Sequence, residues 1–413
     1  MSFSIRLKSF LSSIAPGLFI VGYVIGTGSV TSMVVAGARF SMSLTWALAM
    51  SCFFTFIMLV AISKLTIVTQ KTIVFNIKES FGKFAALFII CGLLVTITSS
   101  ISGVTGIVVD VLKEATSLMF PGTGGLNPLI SGTVIIALLL YIFWTGMHNF
   151  FLRFVSAMVG VMGISFILTN FLIVQEPLEL LKGFVPDIPT EGKPELIIAG
   201  IVGTTMAAVV LVSRSMVVAE KKWTVKDLPI ENRDSIISMV LTFVISAAIM
   251  VSAAGTLYKE GIRIDNAIEM VKTLEPLAGE FAIALFVTGI LAAGLSSIFP
   301  NIVLLPWLIC DFLGMERNLK TPLFRVVAVA LGSLGLLVPL LGGKPVIIMI
   351  ASQAFSPVMM PLLIIFLIIM LNKKSVVGKH TNGFWLNLGL AATLLFSLFM
   401  FYLAIEGYLE LLG

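Results

Sequence analysis

Residues 22–29 read Gly22-Tyr23-Val24-Ile25-Gly26-Thr27-Gly28-Ser29, and residues 200–208 read Gly200-Ile201-Val202-Gly203-Thr204-Thr205-Met206-Ala207-Ala208. Each string lies midway along an apolar stretch long enough to cross a bilayer. Clustered glycines and small hydroxyl residues weaken a helix, so each stretch is expected to break near its centre. Small residues also let membrane helices pack closely, and one such cluster alone would be read that way first. Two clusters in corresponding positions change the reading, because transporters built from inverted repeats place their substrate between helices interrupted near the bilayer midplane.

The rest of the chain supports a membrane setting. Of its 413 residues 58% are hydrophobic and 11% charged, with a mean hydropathy of +1.11. A soluble domain carries about 25% charged residues. There is too little charge to cover a soluble surface, which excludes a soluble enzyme, a nucleic-acid binder and a disordered scaffold. Cutting the hydrophobic runs at charges, Pro and Gly gives eleven spans, near 12–38, 43–63, 84–112, 128–147, 152–174, 196–219, 234–257, 281–310, 322–342, 345–371 and 383–405. The weakest cut is Gly342-Gly343-Lys344, where a re-entrant pair is an alternative to two spans. The expected fold is all-α and polytopic, a single transmembrane domain over 1–413. It comprises two inverted five-helix repeats, about 12–174 and 196–371, with helices one and six broken and an eleventh helix added.

Charge placement sets the expected orientation. Lys64, Lys71, Lys78, Lys83, Arg153, Lys221, Lys222, Lys226, Arg233, Arg317, Lys320, Arg325, Lys373, Lys374 and Lys379 fall on the side of Arg6 and Lys8, and Arg39, Lys113, Lys182, Lys193, Lys259, Arg263, Lys272 and Lys344 on the other, where 175–195 and 258–280 carry most of the acids. Positive residues stay in the cytoplasm, so the N-terminus is expected inside and the C-terminus outside, in a plasma (inner) membrane. Span one runs past any processing site, which argues against a cleaved signal peptide. Cys52, Cys91 and Cys310 match no zinc or disulfide spacing and read as small core residues.

Ordered motifs resemble the NRAMP family of proton-coupled divalent-metal transporters, which share a fold with the amino-acid transporter LeuT. Ala15-Pro16-Gly17 with Gly22-Tyr23 resembles the family's opening, and Ala36-Gly37-Ala38-Arg39-Phe40 through Trp46 and Lys64-Leu65-Thr66-Ile67-Val68-Thr69 its second-helix region. Leu291-Ala292-Ala293-Gly294-Leu295-Ser296-Ser297 is similar to its eighth helix. Ala351-Ser352-Gln353-Ala354-Phe355-Ser356, Met360-Pro361-Leu362-Leu363 and Asn372-Lys373-Lys374 are similar to its tenth. The resemblance implies eleven or twelve helices.

The departures fall where the family's chemistry lies. The family's Asp-Pro-Gly-Asn break becomes Gly26, Thr27, Gly28 and Ser29, and its Met-Pro-His becomes Ala207, Ala208 and Val209. Its second histidine becomes Arg214, and an acidic pair linked to proton movement becomes Ser100 and Gly103. Gln353 keeps a tenth-helix position implicated in metal binding. Met206 is one residue out of register with the lost Met, which turns the side chain by about 100°.

The residues themselves point the same way. No Asp or Glu falls near the middle of any span, and Asp110 sits close to the outer end of span three, where solvation explains it. A divalent cation in low dielectric needs anionic ligands or a dense oxygen cage. Thr27, Ser29, Thr204, Thr205 and Gln353 offer only a neutral cage. A Gly-rich break exposes backbone N–H groups at a helix N-terminus, which favours a carboxylate or small anion. Ile25-Gly26-Thr27-Gly28 also resembles the break that binds the substrate carboxylate in LeuT-like transporters. Arg214 lies about two turns beyond the second break; there it either lines the inner vestibule, repelling divalent cations, or snorkels to the interface. His148 and His380 fall at span ends. The hydroxyls of Thr96, Thr98, Ser99, Ser100, Ser102 and Thr105 either line a polar path or bond to nearby backbone.

The expectation is an alternating-access secondary transporter for a small polar or anionic solute. Its alternatives are a divalent-metal transporter with a remodelled site, taking Mg²⁺ or Mn²⁺, or a sensor that no longer transports. The substrate-binding set is Gly26, Thr27, Gly28, Ser29, Thr204, Thr205, Met206, Ala207, Ala208 and Gln353, and the pathway set is Ser100, Gly103, Arg214, Asn301 and Ser356. Besides the solute or ion and the lipid bilayer, no nucleic acid, resident metal, cofactor or obligatory protein partner is expected, and no enzymatic centre can be assembled.

Overall fold

The computed structural model describes residues 15–145, 148–173, 181–264, 266–315 and 321–412. The expected start of span one before residue 15, the end of span five at 174, and the charges Arg6, Lys8, Arg317 and Lys320 lie outside these residues. Among the described residues there are helices and no strands. Ten helical segments are long and apolar enough to cross a membrane. Span one completes the eleven as two halves, α1 (Ala15–Val24) and α2 (Thr27–Phe40).

The chain continues as α3 (Thr45–Thr69), the short α4 (Ile73–Phe81), α5 (Lys83–Met119), α6 (Pro128–Thr145) and α7 (His148–Leu172). Span six is again two halves, α8 (Glu195–Thr205) and α9 (Ala208–Lys221). Then come α10 (Leu228–Ala253), α11 (Ala282–Leu313), α12 (Pro322–Leu334), α13 (Leu337–Leu341), α14 (Pro345–Ala354), α15 (Ser356–Asn372) and α16 (Phe384–Leu412). Gly342 and Gly343 take φ of +74° and +125°, a region that costs an L side chain energy, so the chain turns there and spans nine and ten separate. Pro357 in the first turn of α15 bends the tenth span at Phe355. Span seven starts earlier than its charge pattern predicts. Its helix begins at Leu228, with Pro229 in the first turn, and so takes in Glu231 and Asp234.

The two broken spans lie at the centre. Inside the bundle, 94% of the span-six window is buried, against 28% for spans four and nine, which therefore face lipid. Around this centre α10 packs on α2 and α3, α11 on α5 and α7, and α14 on α5 and α8. Cys52 and Cys310 are buried as expected, whereas Cys91 is exposed on the outward face of α5. Asp110 is half-buried rather than solvated, and its Oδ2 accepts from the Ala267 N–H at 3.3 Å, which ties α5 to the segment before α11.

Glycine sets the closest approach at the centre. A Cβ on Gly203 would stand 2.0 Å from the Gln353 carbonyl oxygen, so α8 reaches α14 only without a side chain there. Gly203→Ala is expected to cost about 1–3 kcal/mol through overpacking, read as a lower melting midpoint in detergent.

Candidate transport site

Both breaks occur where the small-residue clusters put them. Gly26 is extended, with φ −99° and ψ −174°, and the chain is non-helical at Ile25 and Gly26. In span six Met206 ends α8 and Ala207 is extended, with φ −80° and ψ 129°. The two gaps face one cavity of about 50 Å³, room for roughly three to five water-sized bodies.

Of the expected binding residues, Gly26, Gly28, Ser29, Thr204, Ala207 and Gln353 line this cavity. Ser100, Asn301 and Ser356 line it as well. Four others turn away. Thr27 Oγ1 donates to the Ile290 carbonyl at 3.4 Å and Thr205 Oγ1 to the Ile201 carbonyl at 3.2 Å. Met206 is buried in the core, and the Ala208 N–H is taken by Ser356 Oγ at 3.1 Å. Gly103 packs against Ser352 and Met349 instead of lining the cavity. Thr96, one of the span-three hydroxyls open to a path-lining role, lines it, as do Tyr23, Ser297 and Ser352, which are outside the expected sets. Tyr23 and Ser297 stood inside quoted motifs, but only the packing of α1 against α11 shows which face they present.

The lining contains no charge. Beside Val24, Val104, Val209 and Val210, its polar part is a set of hydroxyls and amides, and four of the hydroxyl protons are committed. Thr96 Oγ1 donates to the Gly92 carbonyl at 3.0 Å, Thr204 Oγ1 to Ile201 at 2.9 Å, Ser297 Oγ to Ala293 at 2.9 Å and Ser352 Oγ to Met349 at 2.7 Å. Tyr23 Oη donates to Asn301 Oδ1, and Asn301 Nδ2 donates to Ser100 Oγ at 3.3 Å. A hydroxyl whose proton is engaged offers lone pairs only. The final turns of α1 and α8 bring Tyr23, Val24, Gly203 and Thr204 to the lining, and last-turn carbonyls have no partner in their own helix. Both features favour a positive ligand. Hard oxygens supply all of this, with no sulfur in the lining. Among the described residues no three His, Cys, Asp or Glu side chains cluster as a metal site.

The hydroxyl run of span three serves both roles left open by its sequence. Thr96 and Ser100 face the cavity. Thr98, Ser99 and Ser102 line a separate apolar groove of about 620 Å³ between α5, α13, α14 and α16. Ser99 and Ser102 there bond to carbonyls of their own helix.

Arg214 is not a vestibule charge. It is fully buried, with Nη1 2.7 Å from Asp234 Oδ2 and Nη2 3.1 Å from Glu231 Oε1, both acids equally buried. Its Nε donates to Ser63 Oγ at 3.2 Å, and Ser235 Oγ donates to Glu231 Oε1 at 2.8 Å. The expected attraction for anions therefore fails, because two carboxyl groups take up the charge before it can reach a pathway. The sequence signal for this cluster was Glu231, Asp234 and Ser235 at spacings of three and four on one helical face, opposite an arginine inside a span. Placing the start of span seven at 234 hid it.

Helices broken at matching positions around a small polar cavity give the LeuT-like architecture. The chain belongs to the Nramp family: the family profile, described as natural resistance-associated macrophage protein-like, matches residues 17–406. Among curated relatives, the natural resistance-associated macrophage protein 2 homolog of Dictyostelium discoideum is 26% identical over 92% of this chain, which spans 60% of that protein's length. The divalent metal cation transporter MntH of Staphylococcus saprophyticus is 25% identical over 99% of this chain and 94% of its own length. A manganese transporter from Eremococcus coleocola superposes with a TM-score of 0.74 at 16% identity, covering 99% of this chain and 90% of that one. The nucleobase-cation-symport-1 family transporter Mhp1 superposes with a TM-score of 0.62 at 16% identity, over 97% of this chain and 90% of its own.

Removing Arg214 would take from two buried acids the guanidinium that pairs with them. Arg214→Ala is expected to cost about 3–5 kcal/mol, measured as loss of melting midpoint and of monodisperse yield.

Proposed function

We propose that this chain is an alternating-access secondary transporter that carries a hard divalent cation of the Mg²⁺ or Mn²⁺ kind, with part of its water shell kept. The observation that carries this reading is the state of the lining hydroxyls: four of them spend their protons on carbonyls of their own helices and turn lone pairs to the cavity. These four hydroxyls accept, while Ser100 and Ser356, which accept from Asn301 and Ala208, keep protons to donate. A small polar or anionic solute, the first expectation from the sequence, drew on the Gly-rich break and on Arg214, and the second of these is lost because buried acids pair with that charge. The names of the relatives, divalent metal cation transporter among them, support the same choice. Mg²⁺ sheds water reluctantly and is held through few direct ligands, which suits neutral oxygens and a cavity that has room for some waters. With no thiolate or thioether in the lining, softer metals lose their advantage.

A second reading keeps one observation of its own. Gly28, Ser29, Val209 and Val210 line the cavity from the first turns of α2 and α9, where backbone N–H groups have no helical partner, so a small anion is the rival ligand. Orientation also belongs to this proposal. The basic residues of the loops after α3 and α9 put those ends in the cytoplasm, with the N-terminus inside and the C-terminus outside.

Flux into proteoliposomes tests the choice. Saturable Mg²⁺ or Mn²⁺ uptake, with Cd²⁺ a poorer substrate, is the expected result. Uptake of a small carboxylate without cation uptake would overturn it. Asn301→Ala and Ser297→Ala should each lower cation flux about tenfold, equivalent to about 1.4 kcal/mol; Ser297→Ala should leave the melting midpoint near wild type, and Asn301→Ala should lower it by unpairing Tyr23.

A further inference from the structure

From residue 317 to residue 405 the chain carries no acid, and within that stretch Lys373, Lys374 and Lys379 fall together in the loop between α15 and α16. All three side chains are exposed. Lys71 and Lys78 elsewhere spend their charges on Glu79 and on the Phe312 carbonyl. Among the described residues the Nζ groups of Lys373, Lys374 and Lys379 make no hydrogen bond or ion pair.

Hydrogen bonds give this loop one defined course. The Asn382 N–H donates to the Leu371 carbonyl at 3.1 Å. Asn372, which ends α15, and Asn387, in the first turn of α16, exchange amide hydrogen bonds at 2.8 Å in both directions, and Asn382 Nδ2 donates to Asn387 Oδ1 at 3.1 Å. From α3, Lys64 Nζ donates to Asn382 Oδ1 at 2.9 Å, which fastens the loop to the bundle.

The amide pair sets the end of α15 and the start of α16 at one height. Lys373 and Lys374 follow Asn372 directly, while Trp385 and Phe384 stand shortly before Asn387, so cations and aromatic rings emerge at the same level. Phe384 is 72% exposed and Trp385 80%, with ring centroids 5.5 Å apart, edge to face. The 29 residues of α16 span about 44 Å at the helical rise. A bilayer's hydrocarbon core is about 30 Å thick, so the ends of α16 reach the headgroup layers. Aromatic residues concentrate at that level, where one part of the ring environment is apolar and the other wet.

We propose that the loop between α15 and α16 is a binding surface for anionic phospholipid, with the lipid phosphate against Lys373, Lys374 and Lys379 and the rings of Phe384 and Trp385 among the glycerol esters and upper acyl chains. Opposite charge draws the headgroup to the lysines, and ring burial holds it at that depth. An acidic protein segment would meet the same three charges, but two bare rings beside them match the boundary between headgroups and hydrocarbon. Neither the proposed substrate nor the proposed orientation enters, since anionic lipid can be supplied in either leaflet.

The full chain in nanodiscs of phosphatidylglycerol and phosphatidylcholine in equal parts tests this through Trp385. One of the two lipids carries bromines beside its ester groups, and wild type minus Trp385→Phe isolates the quenching of that indole. Brominated phosphatidylglycerol should quench it about twofold more than brominated phosphatidylcholine, and about 1 M salt should erase the excess. Equal quenching by the two lipids overturns the proposal. Native mass spectrometry gives a second readout on the same lipids. The chain should retain phosphatidylglycerol over phosphatidylcholine, and Lys373→Gln, Lys374→Gln and Lys379→Gln should each lower that preference about fivefold. An unchanged preference with all three substituted overturns the site. Retention of a polyglutamate peptide with no preference between the lipids also overturns it and assigns the surface to an acidic protein. The Trp385 measurement needs no lysine variant, so poor folding of one leaves the test intact, and failure of cation uptake would strike the proposed substrate alone.

Discussion

Breaking a helix inside a bilayer frees backbone groups that hydrocarbon cannot satisfy, and the rest of this structure is arranged around two such breaks. Each gap is kept to about two residues, and helical bonding resumes at once. The Ile25 N–H still reaches the Val21 carbonyl at 2.8 Å, and the Val30 N–H takes up Gly26 at 3.1 Å. In span six the Met206 N–H bonds Val202 at 2.7 Å, and Ser356, from α15, supplies the oxygen that Ala208 needs. The breaks survive because other helices surround them, which is why the broken spans are the most enclosed part of the bundle.

Two kinds of polarity follow, and they are kept apart. At the breaks it is neutral: hydroxyls and amides on α1, α2, α5, α8, α11 and α14 share protons with backbone and with one another. Toward the ends of α3, α9 and α10 it is ionic and dry, with one guanidinium tied to two acids. A buried ion cluster is weak support for stability, since desolvation offsets most of its attraction, but breaking it is costly.

Membership of the Nramp family and loss of its ligand pattern are reconciled by what the fold needs. Small residues at the breaks, Gly203 against Gln353 and the Ser296-Ser297 pair on α11 serve the backbone geometry, and they persist here. Ala207 and Gly26 stand in the gaps with ordinary dihedrals, so the gaps exist whether or not a metal ligand occupies them.

How much of this was legible in the sequence divides along one physical line. The spans, the two breaks at Gly26 and Ala207, and the turn at Gly342-Gly343 depend on hydropathy and on local backbone preference, which neighbouring residues carry. The sequence alone therefore determined the membrane class, the number of spans and where two of them break. Which hydroxyls face the cavity, that Thr27 and Thr205 turn away while Tyr23 and Ser297 turn in, depends on how helices far apart in sequence rotate against each other. The fate of Arg214 depends on Glu231 and Asp234, seventeen and twenty positions on, brought to it by the start of α10. A charge in a span looks functional until its partner is known, and only the tertiary structure supplies the partner, because electrostatic energy is set by distance in space and by exclusion of water.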